Sequence, residues 1–273
     1  MVSSKTRQPV VAGRFYPRSA QEIRDLISGF IDIRERKTDA IACMLPHAGY
    51  IYSGRVAAQT VSKINVKEKV ILLGPNHTGR GPDFSIMPEG AWLTPLGRVD
   101  IDTSLARAIM EAAGELEDDL SAHSEEHSLE VELPVLQYFK QDFEIVPIAF
   151  MSDDLAALKK VGEGIAGAIK KSGLRERVLL VASSDMTHYE PQAEAVKKDK
   201  LALEAILGLD PDRLAREVRL YNISMCGVAP VIAMLSAAEH LGAKEAELVK
   251  YQTSADVTGD KSSVVGYAGV IIK

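Results

Sequence analysis

Three short stretches decide the fold: AIACMLPHAGY (residues 40–50), KVILLGPNHTG (residues 69–79) and RVLLVASSDMTHY (residues 177–189). Each opens as an apolar run of five or six residues rich in Val, Ile and Leu (residues 40–45, 69–73 and 177–182), the pattern of a buried strand. Each run then enters a loop that carries a histidine: His47, His77 and, three residues after Asp185, His188. Pro46 and Gly49 frame His47, while Gly74, Pro75 and Gly79 frame His77. Such residues shape a backbone so that it fixes a side chain. In open α/β sheets the crevice beyond the carboxyl ends of the strands is where ligands bind. If these three strands are parallel neighbours, His47, His77, Asp185 and His188 converge on one spot.

Working outward, strand patterns alternate with amphipathic helical ones. Ser19 followed by Glu22 is a capping box, and Ile23, Leu26, Ile27 and Phe30 recur behind it at helical spacing. Helices are predicted over residues 54–64, 103–113, 126–139, 153–170 and 228–241, with two more inside 192–220. Strands are predicted over 144–150, 247–252 and 263–272. Shorter β-like pieces fill 83–102, broken by Pro88, Gly90, Pro95 and Gly97. This alternation implies an α/β fold with a mixed, mostly parallel sheet covered by helices. No linker or repeat divides the chain, so one α/β domain is predicted across residues 1–273. The order of strands in the sheet is not legible.

The chain has 273 residues, 46% of them hydrophobic and 26% charged, which is enough to build a sizeable core. Its formal charge is -6 and its 32 basic residues are scattered, which argues against nucleic acid and anionic membranes as partners. No apolar run reaches the ~18 residues that span a bilayer. Residues 1–8 are polar and basic with no apolar stretch behind them, so a cytoplasmic protein is expected. In that reducing compartment Cys43 and Cys226 are expected as free thiols, core residues or metal ligands. The nucleotide fingerprint G-x-x-x-x-G-K-[ST] and the G-x-S-x-G elbow are absent.

Cys226 lies just before an apolar helix, whose N-terminus favours a thiolate. The residues alone leave it open between a metal ligand and a small buried hydrophobe. Cys43, inside the first strand, fits the core. His123-Ser124-Glu125-Glu126-His127 matches the H-x-x-E-H protease motif, which requires one continuous helix. Ser121, Ser124, Ser128 and the interrupting Pro134 point instead to a loop entering a helix, with His127 bordering the cleft. Ser183 and Ser184 are read as turn caps, and His240 as a partner for a helix C-terminus.

PHAGYIYSG (46–54), LGPNHTG (73–79), EEHSLEVELPVLQ (125–137), SSDMTHYE (183–190) and MCGVAP (225–230) resemble the Memo family, named for an animal mediator of receptor-driven cell motility. AGRFYP (12–17) and SVVGYAGV (263–270) extend the resemblance over essentially the whole chain. It implies a fold like that of class III extradiol dioxygenases, which are non-haem iron enzymes. It also implies His47, His77 and Cys226 as metal ligands, with Asp185 and His188 lining the pocket and His188 resembling the dioxygenase acid/base histidine. A thiolate stands where those enzymes use a carboxylate, and its softness favours copper as well as iron. The expected function is that of an iron- or copper-dependent oxidoreductase acting on a small-molecule substrate. The alternative is a phosphotyrosine-type peptide module in which Arg55, Arg80 and Lys261 contact the anion. A structural or copper-handling site without turnover is a third reading. Radical-SAM and AMMECR-type proteins are the partners that the resemblance implies.

Overall fold

The computed structural model describes residues 5–31 and 37–273, so the first four residues of the polar opening stretch lie outside it. Along the chain the elements are β1 (Thr6–Arg7), α1 (Ala20–Ser28), β2 (Ala42–Leu45), α2 (Gly54–Ser62), β3 (Lys69–Pro75), β4 (Phe84–Ile86), β5 (Ala91–Thr94) and β6 (Gly97–Asp100). There follow α3 (Thr103–Ala113), β7 (Glu117–Asp118), α4 (Ser121–Ser124), α5 (Ser128–Phe139), β8 (Glu144–Phe150), α6 (Leu155–Lys171), β9 (Val178–Ser183) and β10 (His188–Glu190). The chain closes with α7 (Gln192–Leu207), α8 (Pro211–Leu220), α9 (Val228–His240), β11 (Ala246–Thr253), α10 (Ala255–Thr258) and β12 (Val264–Ile272).

The main sheet runs β12-β2-β9-β3-β8-β4-β7, with β11 along the other side of β12 and β10 beside its start. Its centre is parallel: β2 with β9, β9 with β3, and β3 with β8. The strands that flank this centre, β12 and β4, are antiparallel to it. The expected mixed sheet is therefore present, but it is parallel mainly at its centre rather than mostly parallel, since β10, β11, β12 and β4 all pair antiparallel. The three strands that lead into the histidine-bearing loops are direct neighbours. β1, β5 and β6 form a separate small sheet.

Why those strands read as unbroken apolar runs follows from their two faces. Successive residues alternate across a strand. Met44, Ile71, Leu73, Leu180 and Ala182 enter one core, shared with α3, α6, α8 and α9. Cys43, Leu45, Val70, Leu72, Leu179 and Val181 enter the other, with α1, α2 and α5. Cys43 is wholly buried there, and both cysteines are free thiols. Ser19 caps α1 by accepting from the Glu22 amide, as its capping box requires.

One local reading is corrected. Pro134 does not interrupt the helix of residues 126–139: α5 continues through it. The proline removes the N–H that would have reached the Glu130 carbonyl. Burial of every residue from Ser128 to Gln137 offsets that loss.

α5 also anchors the start of the chain. The Arg7 guanidinium meets Glu130 at 2.7 Å, with both side chains almost fully buried, and it donates to the carbonyls of His123 and Glu126. Glu130 accepts further from the Val10 and Val11 amides and from the Tyr16 hydroxyl. Removing one member of a buried pair leaves the other charge uncompensated. Arg7→Leu is expected to lower unfolding stability by about 3–5 kcal/mol in urea titration; a loss below about 1 kcal/mol would show that the pair does not hold this segment.

Candidate metal centre

The pairing of Leu45 with Ser183 aligns the ends of β2 and β9, and β3 ends on the other side of β9. The loops leaving these three strands carry His47, His77 and Asp185. They open onto a cavity of about 550 Å³ lined by His47, His77, His127, Asp185, His188 and Cys226, with Phe15, Tyr189 and Tyr267 among its walls. All five sequence-predicted site residues thus face one space. Cys226 arrives from the N-terminal end of α9, whose cap is Gly227. A Cβ on Gly227 would lie 2.3 Å from the Ser183 carbonyl oxygen, so only glycine lets this turn close against the end of β9.

His47 is buried, its amide donates to Asp185 Oδ1 (2.9 Å), and its Nε2 lies 3.2 Å from Cys226 Sγ. Ligand atoms of His47, His77 and Cys226 all lie within 4.8 Å of one another. An ion at the usual distances, about 2.0–2.1 Å from nitrogen and about 2.3 Å from sulfur, sets its ligands roughly 3–4 Å apart. This donor set therefore fits one soft or borderline ion with small adjustment.

His77 is exposed but aimed. Its Nδ1–H donates to Glu126 Oε1 (2.9 Å), which leaves Nε2 as the free ligand atom. Glu126, buried completely, also accepts the amides of His77, His127 and Ser128. His77, Glu126 and His127 form a second group of metal-ligand types. Those four contacts already engage both Glu126 oxygens, so the carboxylate is placed to orient His77. His127 stacks on the His77 ring at 4.7 Å and meets His47 edge-on at 5.5 Å.

The protease motif is not assembled. His123 lies in α4 and His127 caps α5, on no common helix. His240 hydrogen-bonds the Ser236 carbonyl inside α9, as a helix-end partner would. Of the three proposed anion contacts, Arg55 lies over the Phe30 ring and Arg80 pairs with Glu125. Neither they nor Lys261 line the cavity.

Burial governs the protonation of the site. It pushes the His47 ring well below its usual value, with the charges of His77 and His127 adding to the effect. Burial, and then Asp185, push the Cys226 thiol far up. Asp185 itself is raised to about 6 by burial, against the charge of His188 and the amides of His47 and Ala48. His47 is thus a neutral imidazole ready to donate a lone pair, while the thiolate lacks a compensating charge until a cation arrives. His188 donates Nδ1–H to the Ser224 carbonyl (2.9 Å), leaving Nε2 free. Beside it, Tyr189 has φ 58° and is 78% exposed at the cavity wall.

Sequence reasoning passed over Glu126 and Phe15, although both lie inside quoted motifs. For Glu126, adjacency to His127 inside the H-x-x-E-H match was the available signal.

Comparison with known proteins places the chain. The Memo-like protein family model matches residues 7–271, and the chain belongs to the Memo family. It is 44% identical to a MEMO1 family protein of Methanopyrus kandleri, over 98% of this chain and 99% of that one. Identity is 43% to one of Methanococcoides burtonii (98% and 100% covered) and 42% to one of Aquifex aeolicus (98% and 99%). The crystal structure of an uncharacterized protein of Escherichia coli K12 superposes with a TM-score of 0.57 at 14% identity, covering 84% of this chain and 98% of that one, a likeness of fold alone. No helix among the described residues is long and apolar enough to cross a membrane.

Glu126 supplies a pH test for the metal-free protein. Burial would raise its carboxyl, but the hydrogen bond and charge of His77, the Ser128 amide and His127 hold it at about 2. Its stabilisation is therefore complete above the unfolded value of about 4.3 and is lost as pH falls toward 2. Glu126→Gln is expected to be about 3 kcal/mol less stable than wild type at pH 5.5, with the gap narrowing as pH falls to 2.5. A gap independent of pH in urea titrations would contradict this.

Proposed function

We propose that this chain holds one redox-active ion, iron or copper, through His47 Nε2, His77 Nε2 and Cys226 Sγ, and acts as a metal-dependent oxidoreductase on a small molecule admitted to the cavity. The observation that carries the reading is the convergence of two imidazoles and a thiol within 4.8 Å at one end of the parallel sheet centre. Iron(II) or copper(I) in such a site supplies one-electron chemistry toward oxygen.

The chain's own residues do the rest. Asp185 anchors the His47 loop through the amides of His47 and Ala48 and keeps a carboxyl that titrates near neutral pH beside the ligands. His188, fixed at Nδ1 by the Ser224 carbonyl, offers Nε2 to the cavity as general acid or base. Phe15 and Tyr267 give the cavity aromatic walls. Among the described residues the lining carries no Arg or Lys to pair with a phosphate, which favours this reading over capture of a phosphotyrosine-type peptide.

Metal analysis of protein purified without oxygen tests the proposal. Wild type is expected to carry close to one iron or copper, falling at least tenfold in His47→Ala and Cys226→Ser. With a reductant present, oxygen uptake by the loaded protein is expected to collapse in His47→Ala and to fall at least tenfold in His188→Asn with the metal retained. No metal in any sample, and none taken up on reconstitution, would overturn the reading.

A further inference from the structure

Ser183, the last residue of β9, makes three contacts that one hydroxyl satisfies in few ways. Its Oγ lies 2.7 Å from His47 Nδ1, 2.7 Å from Glu132 Oε1 and 2.9 Å from the Ser128 carbonyl oxygen. A hydroxyl donates one proton and accepts at two lone pairs. All three contacts are hydrogen bonds at once in one arrangement: Ser183 donates to the Ser128 carbonyl, which only accepts, while His47 Nδ1–H and a protonated Glu132 donate to Ser183.

Glu132 fits that assignment independently. It sits in the middle of α5, wholly buried, and its second oxygen, Oε2, has no hydrogen-bond partner among the described residues. A carboxylate there would bury a charge without a cation, whereas the neutral acid leaves only one carbonyl oxygen unpaired. Burial drives its carboxyl well above the usual range, outweighing any hydrogen bond that Ser183 could donate to the ionised form, and the Asp185 charge adds to the rise. None of Ser128, Glu132 and Ser183 lines the cavity; the Ser183 hydroxyl reaches it through the His47 ring.

We propose that Glu132 is a positioning residue for the metal centre: as a neutral acid donating to Ser183, it keeps His47 in the Nδ1–H tautomer, with the Nε2 lone pair directed to the ligand position beside Cys226. A serine relieved of the Glu132 proton is free to turn its own proton toward Nδ1, which selects the other tautomer and blocks Nε2. The effect on metal affinity rests on the proposed function above; the tautomer and the protonation of Glu132 do not.

Nitrogen chemical shifts of His47 in metal-free, histidine-labelled protein read the tautomer directly. Wild type is expected to show the Nδ1–H form alone. Glu132→Gln, whose amide donates to Ser183 as the acid does, is expected to keep it, whereas Glu132→Leu and Ser183→Ala lose the single tautomer. Zinc and iron(II) affinities from chelator competition should fall about 10–100-fold in the latter two and change less than threefold in Glu132→Gln. The infrared C=O band of a protonated carboxylic acid should be present in wild type and absent from Glu132→Gln. An Nε2–H tautomer in wild type, or loss of the tautomer in Glu132→Gln to the same degree as in Glu132→Leu, would overturn the assignment. Should Glu132→Leu fail to fold, Ser183→Ala and Glu132→Gln still decide it. Absence of metal from every form would sink the proposed function while the nitrogen shifts judged the tautomer.

Discussion

The parallel pairing of β2 with β9, with Leu45 opposite Ser183, is the constraint on which the rest of the site depends. It sets where His47 leaves the sheet and puts the Ser183 hydroxyl against its ring. The same register carries Asp185 to the His47 amide. Because β3 lies on the other side of β9, His77 approaches from the opposite flank of the same crevice. Three strands that are far apart in sequence thereby deliver their side chains to one point, and the close approach at Gly227 admits Cys226 as the fourth contributor.

Electrostatics then separates the site into two layers. Facing the cavity stand the His47 imidazole, the Cys226 thiol and Asp185, groups that burial drives toward their neutral forms. Behind them, ionised groups are paired: Glu126 with His77 and three amides, and Arg7 with Glu130. The layers are linked, since the Arg7 guanidinium grips the carbonyls of His123 and Glu126 on the segment that aims His77. Two imidazoles and a thiol in front of a charged, hydrogen-bonded support are suited to receive a cation, which supplies the charge that the thiolate needs.

Much of this was legible in the sequence because it is written in local terms. Apolar runs ending in Pro-His or Asn-His loops gave the strands, and Cys226 before an apolar stretch gave the helix end. His47, His77, Asp185 and His188 meet at the cavity, as the converging-strand argument required, and Cys226, which the residues alone left open, joins them there. What stayed hidden depends on register. Glu132 in a run of Leu and Val reads as a polar lapse in a buried helix, and Ser183 as a turn cap; the pairing of β2 with β9 and the packing of α5 on β9 bring both to the back of His47. The passage of α5 through Pro134 was equally hidden, since tertiary burial overrides the local cost of proline.

The ligand set is the central claim, and X-ray absorption on protein loaded with one equivalent of iron(II) tests it most directly. Scattering from one sulfur and two imidazoles around the ion, with the sulfur contribution lost in Cys226→Ser, is the result this structure predicts. A spectrum of oxygen and nitrogen neighbours alone, unchanged in Cys226→Ser, would contradict it.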